Sequence, residues 1–280
     1  MLLQLLVIAS YLLVSDAFVS LSPRSLGSRR LALYASSEEW IQGTLKSNMK
    51  DGEGLKSIEI EVPPEISSNY KTPGQYVKLK IGENKPNFFA IASPPDGRDT
   101  LSFLVKETDS NEFLTCASVD QKFDLSVPQG KGFQFEEYFE NYKSDWACSN
   151  VYLLAAGSGL APIAACIDFE GLGLGSTGTK TLFPRKAILI IGARSEQHLP
   201  FRNKYEEWKA KGVEVIPVLS KGADDWTGRR GYVQDVLKED KVKVPRNSAA
   251  LMCGQRDMTD NCRELLLDAG VFEGRILLNF

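Results

Sequence analysis

The sequence predicts a two-domain α+β fold, in which an N-terminal antiparallel β-barrel is followed by an α/β domain with a parallel sheet. In the first half, segments such as 57–62 and 76–81 alternate apolar and polar residues, which is the period of a half-buried strand. In the second half, near-continuous apolar runs such as 186–192 are separated by helical patterns, as is typical of a buried parallel sheet. The stretch 151–162 opens this second half with a strand, a glycine turn and a helix start.

The barrel prediction includes further short strands at 88–92, 101–105 and 123–127, with Gly, Pro, Asn and Asp clustered between them. Antiparallel strands at this spacing favour a small barrel. The last strand runs into a turn in which Gly130 and Gly132 let the backbone approach a ligand closely. We assign residues 38–145 to this domain.

The α/β prediction adds strands at 213–219 and 249–253, and helices at 232–237 and 260–269. We assign residues 146–280 to this domain. Ligands of such sheets bind outside the carboxyl ends of the strands. The residues that fall at those ends are Gly157, Arg194, Ser220 and Cys253.

The stretch 151–162 is the strongest local signal for a ligand site. Gly157 and Gly159 follow an apolar strand at once, and Pro162 stands where a helix would begin, a position that suits proline. Free backbone N–H groups at such a helix start bind anions. The pattern is Gly-x-Gly-x-x-Pro, and a plain glycine-rich connection between strand and helix is the alternative.

The composition excludes several classes of function. The chain has 280 residues and a formal net charge of −3, which gives no electrostatic basis for nucleic-acid binding. Its five cysteines are odd in number and none are spaced Cys-x-x-Cys, so a disulfide framework, a zinc site and an iron–sulfur cluster lack support. The single histidine, His198, argues against a histidine-based metal site, and we interpret it as a solvated loop residue.

Residues 1–37 are interpreted as a presequence. The segment 1–18 is apolar as far as Val14, too short for a comfortable membrane span, and reads as a signal peptide. The segment 19–37 carries three arginines, several serines and no acid, as transit peptides do. This order resembles the bipartite plastid presequence of algae, so we expect a plastid protein whose mature chain has no stable membrane span. A secreted protein with a flexible N-terminal arm is the alternative.

Three features in this order resemble the ferredoxin–NADP reductase superfamily, and in particular its plant and algal fruit-type members. They are the β-rich half, the Gly157-x-Gly159-x-x-Pro162 turn and the segment Cys253-Gly254-x-x-x-Met258. The resemblance covers about Trp40 to Phe280. It implies a barrel that binds FAD, or FMN, and a second domain that binds NADP(H), with hydride passing between the two cofactors at their interface.

The resemblance also implies roles for individual residues. Cys253 matches a thiol beside the nicotinamide, and the terminal Phe280 matches an aromatic residue that covers the flavin ring and gates nicotinamide access. The alternative for both is simple packing in the core. The remaining matches are Gly157, Ser158, Gly159 and Pro162 beneath the nicotinamide and pyrophosphate, Gly254 and Met258 beside Cys253, Tyr232 and Gln234 at the adenine, and Gly74, Gln75 and Tyr76 leading into the flavin strand.

Charge at the strand ends favours NADP(H) over NAD(H). Arg194, Ser195 and Ser220 end two predicted strands, and Arg229 stands shortly before Tyr232. An NAD site usually places an acid on the ribose 2′-hydroxyl, whereas cationic residues suit a 2′-phosphate, and none of these clusters is acidic. For each of them, a solvated surface charge is the alternative.

The flavin motif is where the chain departs from the family. Asn87-Phe88-Phe89-Ala90 stands where the family reads Arg-x-Tyr-Ser, so the arginine that grips a flavin phosphate is absent, and neutral asparagine cannot replace a charge-assisted contact. We expect the Phe88-Phe89 pair to face the isoalloxazine. Backbone donors around Gly130 and Gly132, together with Lys131, are the available replacement at the phosphate.

Two functions from different classes follow. The first is a plastid flavoprotein oxidoreductase that takes hydride from NADPH and passes electrons to ferredoxin, a quinone, another flavoprotein or oxygen. The second is a reductase-like module that has lost its flavin and senses nucleotide or scaffolds a partner. A third hypothesis is a secreted α/β protein without redox function.

Overall fold

The computed structural model describes residues 39–140, 147–174 and 185–279. The predicted presequence 1–37, the predicted domain limit at 145–146 and Phe280 all lie outside the described residues. The limits of the two domains therefore stay predictions.

The first half forms one antiparallel six-stranded sheet, as predicted. Its strands follow the order β4-β3-β6-β1-β2-β5. A bridge between Ile91 and Phe103 and the Ala92 N–H···O=C Ser102 bond of 2.7 Å connect the two edges of this sheet, which makes it barrel-like. The strands are β1 (Ile41–Lys50), β2 (Leu55–Glu61), β3 (Tyr76–Lys80), β4 (Asn87–Ala90), β5 (Thr100–Lys106) and β6 (Lys122–Leu125).

Three short helices belong to this half or follow it directly. The first two have a single turn each, and the third follows the last barrel strand. They are α1 (Pro64–Ser67), α2 (Glu112–Thr115) and α3 (Phe135–Glu140).

The second half forms a parallel six-stranded sheet, again as predicted, with the order β10-β9-β8-β7-β11-β12. The strands are β7 (Asn150–Ala156), β8 (Lys186–Ala193), β9 (Val213–Leu219), β10 (Arg229–Arg230), β11 (Ser248–Cys253) and β12 (Ile276–Leu278). The helices between them are α4 (Leu160–Asp168), α5 (Tyr205–Ala210), α6 (Val233–Asp240) and α7 (Arg256–Asp268).

Both faces of the parallel sheet are covered, because successive strand residues point to opposite sides. Along β7, Val151 and Leu153 pack in one apolar cluster with α4 and Trp208 of α5. Tyr152 and Leu154 pack in a second cluster with α6 and α7. This arrangement explains why the strands read as continuous apolar runs.

The first of these clusters extends into the barrel. Leu55 of β2 and Leu104 of β5 are 4% and 5% exposed and belong to the cluster that contains Leu160 and Ala161 of α4. Burying each such leucine contributes about 1.5–3 kcal/mol. The start of α4 is therefore held against the barrel, which fixes the glycine turn before it.

Candidate functional site

The glycine turn lies at the carboxyl end of β7. Gly157 has a φ of 53° and an added Cβ there would meet no atom within 4 Å, so its backbone faces open space. At Gly159, an added Cβ would lie 2.3 Å from the carbonyl oxygen of Cys253. Only glycine therefore lets the end of β11 approach this turn, and the close approach brings Cys253 next to the start of α4.

Cys253 is a buried, neutral thiol at the end of β11. Burial raises its pKa to about 12, although the Asn279 side chain beside it acts in the opposite direction. At neutral pH the thiol is therefore protonated and is not an activated nucleophile. Gly254 follows it, and an added Cβ there would lie 2.6 Å from the terminal methyl of Met258. The thiol serves as a small apolar wall beside the turn.

A cavity of about 1220 Å³ lies between the barrel and the carboxyl ends of the parallel strands. This volume exceeds the roughly 300–1,000 Å³ of ordinary ligand pockets, so it has room for two ligands side by side. The predicted site residues that line it are Phe88, Phe89, Ala90, Gly157, Ser158, Gly159, Pro162, Arg194, Ser220, Tyr232, Gln234, Cys253, Gly254 and Met258.

One end of the cavity is built by the first turn of α6. The Tyr232 side chain is 60% exposed on the cavity wall, and its backbone N–H donates to Asp235 Oδ2 over 2.8 Å. The side-chain oxygen of Gln234 is buried on the same wall without a hydrogen-bond partner among the described residues.

The structure separates the predicted cationic residues. Arg194 lines the cavity and has no ion-pair partner among the described residues. Arg229 does not line it, because its guanidinium pairs with Glu239 over 3.1 Å and also with Asp240 on α6. The prediction that Arg229 binds the 2′-phosphate is therefore wrong. The two carboxylates at the end of α6 already hold its guanidinium.

His198 also departs from its interpretation as a solvated loop residue. It is half-buried and lines the cavity, and its Nδ1 lies 2.8 Å from the hydroxyl of Ser195. Ser195, which we expected in the cofactor site, instead holds this ring, and its hydroxyl also donates to Gln197 over 2.9 Å. A place for His198 in the cavity could not be predicted, because a lone histidine in a polar loop belongs to no local pattern.

The flavin segment 87–90 behaves as a strand with two faces. Phe88 is 61% exposed, and its ring centroid lies 5.6 Å from that of Tyr76. Phe89 is 8% exposed and packs in the barrel core at the edge of the cavity. Both residues line the large cavity, but the pleat of β4 points their side chains to opposite faces of the strand. The expectation that the two rings together face the isoalloxazine therefore stays a prediction.

Asn87 does not line the cavity. Its side-chain amide donates to the carbonyl oxygen of Ser110 over 2.5 Å, so it cannot take the place of the missing arginine. The cavity wall here carries Lys106 and Thr108 instead. Lys106, whose ammonium has no ion-pair partner among the described residues, ends β5 beside this segment, and the sequence analysis did not identify it.

The turn before β3 and the turn after β6 pack against each other outside the large cavity. The Gln75 side chain accepts from the backbone N–H groups of Lys71 and Thr72 and donates to the carbonyl of Gly130 over 3.0 Å. Gln75 thus holds two turns together.

The remaining predicted residues of these turns also lie apart from the main site. Gly74 lies against Phe133 and Asn279, and an added Cβ at Gly130 would lie 3.0 Å from the Tyr76 ring. Lys131 and Gly132 line a separate cavity of about 420 Å³. The structure therefore does not place Gly74, Gln75, Tyr76, Gly130, Lys131 and Gly132 on the wall of the large cavity, and their role at the flavin stays a prediction.

The described residues contain neither a metal-binding cluster nor a helix that could span a membrane. Within 39–140, 147–174 and 185–279, no group of three or more His, Cys, Asp or Glu side chains is placed to hold a metal ion. Across the same ranges, every helix is too short or too polar to span a bilayer.

Comparison with known proteins finds one matching family model and several relatives. Residues 153–264 match the family model described as the oxidoreductase NAD-binding domain. The fruit protein pKIWI502 of Actinidia deliciosa is 29% identical over 235 residues, which cover 79% of this chain and 70% of that protein. Nitrate reductase [NADPH] of Aspergillus niger is 30% identical over 262 residues, which cover 85% of this chain but only 29% of that enzyme.

Solved structures match the fold of both halves together. A ferredoxin NADP+ reductase from Neisseria gonorrhoeae with bound FAD and NADP has a TM-score of 0.69 at 17% identity, with 85% of this chain and 97% of that chain covered. The cytochrome b5 reductase domain of Ulva prolifera nitrate reductase has a TM-score of 0.66 at 14% identity, with 86% and 96% covered.

Proposed function

We propose that the chain is a member of the ferredoxin–NADP reductase superfamily, which its match to the NAD-binding domain model and its relatives support. We further propose that it is a plastid FAD-dependent oxidoreductase that takes reducing equivalents from NADPH and passes them to an acceptor outside the chain. NAD(P)H-dependent flavoprotein oxidoreduction is the activity of this family. The observation that carries the proposal is the cavity of about 1220 Å³, which is walled by the barrel on one side and by the glycine turn and Cys253 on the other.

The nucleotide half of this cavity fits a dinucleotide. The open space over Gly157 lets a pyrophosphate approach the backbone at the start of α4. The exposed Tyr232 ring offers a stacking surface for a base, and Gln234 stands beside it on the same wall. These residues bind and orient the nucleotide without forming covalent bonds.

The barrel half of the cavity fits a flavin through its apolar wall. Ala90, Leu104 and Val105 supply that wall, and Lys106 and Thr108 supply a cation and a hydroxyl at its rim. A flavin held by these residues would supply the chemistry that takes up hydride and hands on electrons. The protein's part is to hold the two ligands together and exclude water between them, which the buried contact of Cys253 with Gly159 makes possible.

Several observations support the finer parts of the proposal. The unpaired Arg194 at the cavity favours a nucleotide with a 2′-phosphate. The order of signal-like and transit-like segments in 1–37 favours a plastid location. The candidate acceptors are ferredoxin, a quinone and another flavoprotein.

We expect the purified protein to bind FAD in preference to FMN, but less tightly than relatives that carry the arginine. Losing one hydrogen bond to a charged group typically costs about 1.5–3 kcal/mol, or about one to two decades of affinity. Titration of the dialysed protein with FAD and FMN, followed by flavin fluorescence, measures this affinity. Absence of binding of either flavin at tens of micromolar would reject the oxidoreductase and favour the nucleotide-binding module.

We also expect the FAD-loaded protein to be reduced faster by NADPH than by NADH, with Arg194 responsible for the difference. Arg194→Gln should lower the NADPH-to-NADH ratio of kcat/KM roughly 10-fold, since a charge-assisted contact is lost. Arg229→Gln is the matched control: Glu239 and Asp240 already hold that guanidinium, so the ratio should stay unchanged. Equal loss in both variants, or a preference of the wild type for NADH, would contradict the assignment.

A further inference from the structure

The turn between β1 and β2, residues 51–54, is docked on the segment that follows β8. The backbone N–H of Glu53 donates to the carbonyl of Gln197 over 2.7 Å. The carboxylate of Asp51 accepts a hydrogen bond from the backbone N–H of Phe201 over 3.0 Å. Gly52 has a φ of 92°, and an added Cβ there would lie 3.2 Å from the Gln197 oxygen. This contact, which we call the hairpin latch, joins the barrel to the parallel-sheet domain.

The residue that Asp51 holds has an unusual backbone. Phe201 has a φ of 54°, a left-handed conformation that is a genuine outlier for a bulky residue. Such strain persists only where the surroundings fix it. The Phe201 ring is 4% exposed and packs edge-on to Trp208, with the centroids 6.3 Å apart, and the Lys204 ammonium lies 5.3 Å from that ring. The side chain and the Asp51 carboxylate together hold the strained turn.

Both halves of the hairpin latch, the one from the barrel and the one from the parallel-sheet domain, lie beside residues that line the large cavity. Glu53 and Gly54 line the cavity from the barrel, and Arg194 and His198 line it from the end of β8. The segment between Arg194 and Phe201 is a short loop with one 3₁₀ turn at Glu196–His198, and its last fixed point is the Phe201 N–H. The loop is held at three points: the Lys221 N–H donates to the carbonyl of Arg194 over 2.7 Å, the Glu53 N–H donates to that of Gln197, and the Phe201 N–H donates to Asp51. The Asp51 hydrogen bond therefore fixes the far end of the loop, next to His198.

We propose that Asp51 is a positioning residue for nucleotide binding: by accepting from the Phe201 N–H, it fixes the end of the loop that places His198 on the wall of the nucleotide cavity, beside Arg194. The inference rests on the proposed function, since the ligand at that wall is the nicotinamide nucleotide. Asp51 itself touches no ligand in this arrangement. Its effect passes through the loop, and a hydrogen-bond acceptor of the same size in its place should preserve that effect.

The surroundings of Asp51 indicate that its role requires a hydrogen-bond acceptor more than a full negative charge. Burial raises the pKa of the Asp51 carboxyl, while the Phe201 N–H and the nearby Lys204 act against that rise. The carboxylate is therefore partly desolvated and engaged by a backbone donor. Asparagine, which keeps one oxygen at the same distance from the backbone, can accept the same hydrogen bond.

The test compares Asp51→Ala with Asp51→Asn in the flavin-loaded, full-length protein. Isothermal titration with NADP+ measures nucleotide affinity, and hydrogen exchange of the peptide that contains Phe201 measures the latch directly. We expect Asp51→Ala to weaken NADP+ binding about 3- to 30-fold, a typical range for coupling through a network, and to speed exchange at Phe201. Asp51→Asn should restore both toward wild type. The FAD affinity should stay unchanged in both variants.

Glu59→Ala is the control, because Glu59 is an exposed carboxylate on β2, and it should leave both measurements unchanged. If Asp51→Ala does not fold, Asp51→Glu replaces it, since the extra methylene moves the carboxylate oxygen and should give the same direction of change. The inference would be overturned if the variant that loses the contact bound NADP+ with wild-type affinity, or if Asp51→Asn lost as much affinity as Asp51→Ala. Neither result would affect the proposed function. A wild-type protein that binds no NADP+ would overturn the proposed function and this inference with it.

Discussion

Gly159→Ala should lower NADP+ affinity about 10- to 100-fold and reduce the melting temperature. The added Cβ would lie 2.3 Å from the carbonyl oxygen of Cys253 and 3.1 Å from the backbone nitrogen of Gly254. Both obstacles are backbone atoms, so no side-chain rotation relieves the contact. The end of β11 and the glycine turn must therefore move apart by about an ångström, and a displacement of that size at a positioned site can cost about 10²-fold in function.

The effect has a single cause, because the backbone of Gly159 is already suited to alanine. Its φ of −61° and ψ of −11° are ordinary right-handed helical values, so no strain arises from the dihedral angles. Overpacking alone typically costs about 1–3 kcal/mol, which corresponds to a fall of a few degrees in melting temperature for a chain of this size. Calorimetric melting and isothermal titration with NADP+ measure the two consequences.

Gly254→Ala is the matched control for this prediction. An added Cβ there would lie 2.6 Å from the terminal methyl of Met258, which is the end of a flexible side chain that can rotate away. We expect a clearly smaller loss of stability and affinity than for Gly159→Ala. Equal losses in the two variants, or unaltered NADP+ binding by Gly159→Ala, would show that the close contact with Cys253 does not shape the site.

The strands and the glycine turn could be predicted from local sequence, because the residues that determine each of them lie within a few positions of one another. The apolar run that becomes β7 and the two glycines after it are adjacent in the chain, so sequence predicts the strand, its end and the start of α4. Cys253 could be placed beside that turn because both stand at carboxyl ends of parallel strands. The two-domain class followed from the change of period between the halves.

The residues that sequence placed wrongly are those whose role depends on distant partners. In the sequence Arg229 looks equivalent to Arg194. In the fold, α6 places Glu239 and Asp240 beside Arg229, where they pair with its guanidinium. Asp51 and Phe201 are 150 residues apart, and no local rule joins them.

The face of a residue in the flavin segment depends on which neighbour its strand pairs with. Val77 of β3 stands opposite Phe89 and is fully buried, so Phe89 follows it inward and Phe88 faces outward. Sequence alone does not give that register, because both phenylalanines are equally apolar.

Asp168→Ala should destabilise the protein by about 2–4 kcal/mol, the second large effect we expect. Asp168 ends α4, where a carboxylate is unfavourable for the helix dipole, and its side chain is only 13% exposed. Three donors satisfy it: Lys204 Nζ at 3.1 Å, Lys211 Nζ at 2.7 Å and the indole N–H of Trp208 at 3.1 Å. Removing the carboxylate leaves the buried indole N–H without its acceptor and the Lys204 ammonium without this carboxylate, while Lys211 keeps its ion pair with Glu207 over 2.7 Å.

The two lysines are about one-third exposed, so water compensates part of their loss, and the expected value lies below that of a fully buried pair. Glu206→Ala is the control: Glu206 also pairs with a lysine, Lys209, over 2.7 Å, but it is 83% exposed and should cost less than about 1 kcal/mol. Urea unfolding at pH 7 measures both variants. Similar stabilities of the two would contradict the assignment of a buried network to Asp168.

The same network sets the pH range in which Asp168 contributes. Burial alone would raise the pKa of Asp168, but Lys204 and Lys211 outweigh it and hold the pKa below its ordinary value. A carboxyl whose folded pKa lies below its unfolded value of about 3.9 stabilises the fold fully above that value and loses its contribution as pH falls through the folded pKa. The difference in unfolding free energy between wild type and Asp168→Ala should therefore stay constant from pH 7 to pH 5 and shrink below pH 4. A difference that persists undiminished to pH 2 would show that the carboxylate's charge plays no part and that only packing is lost.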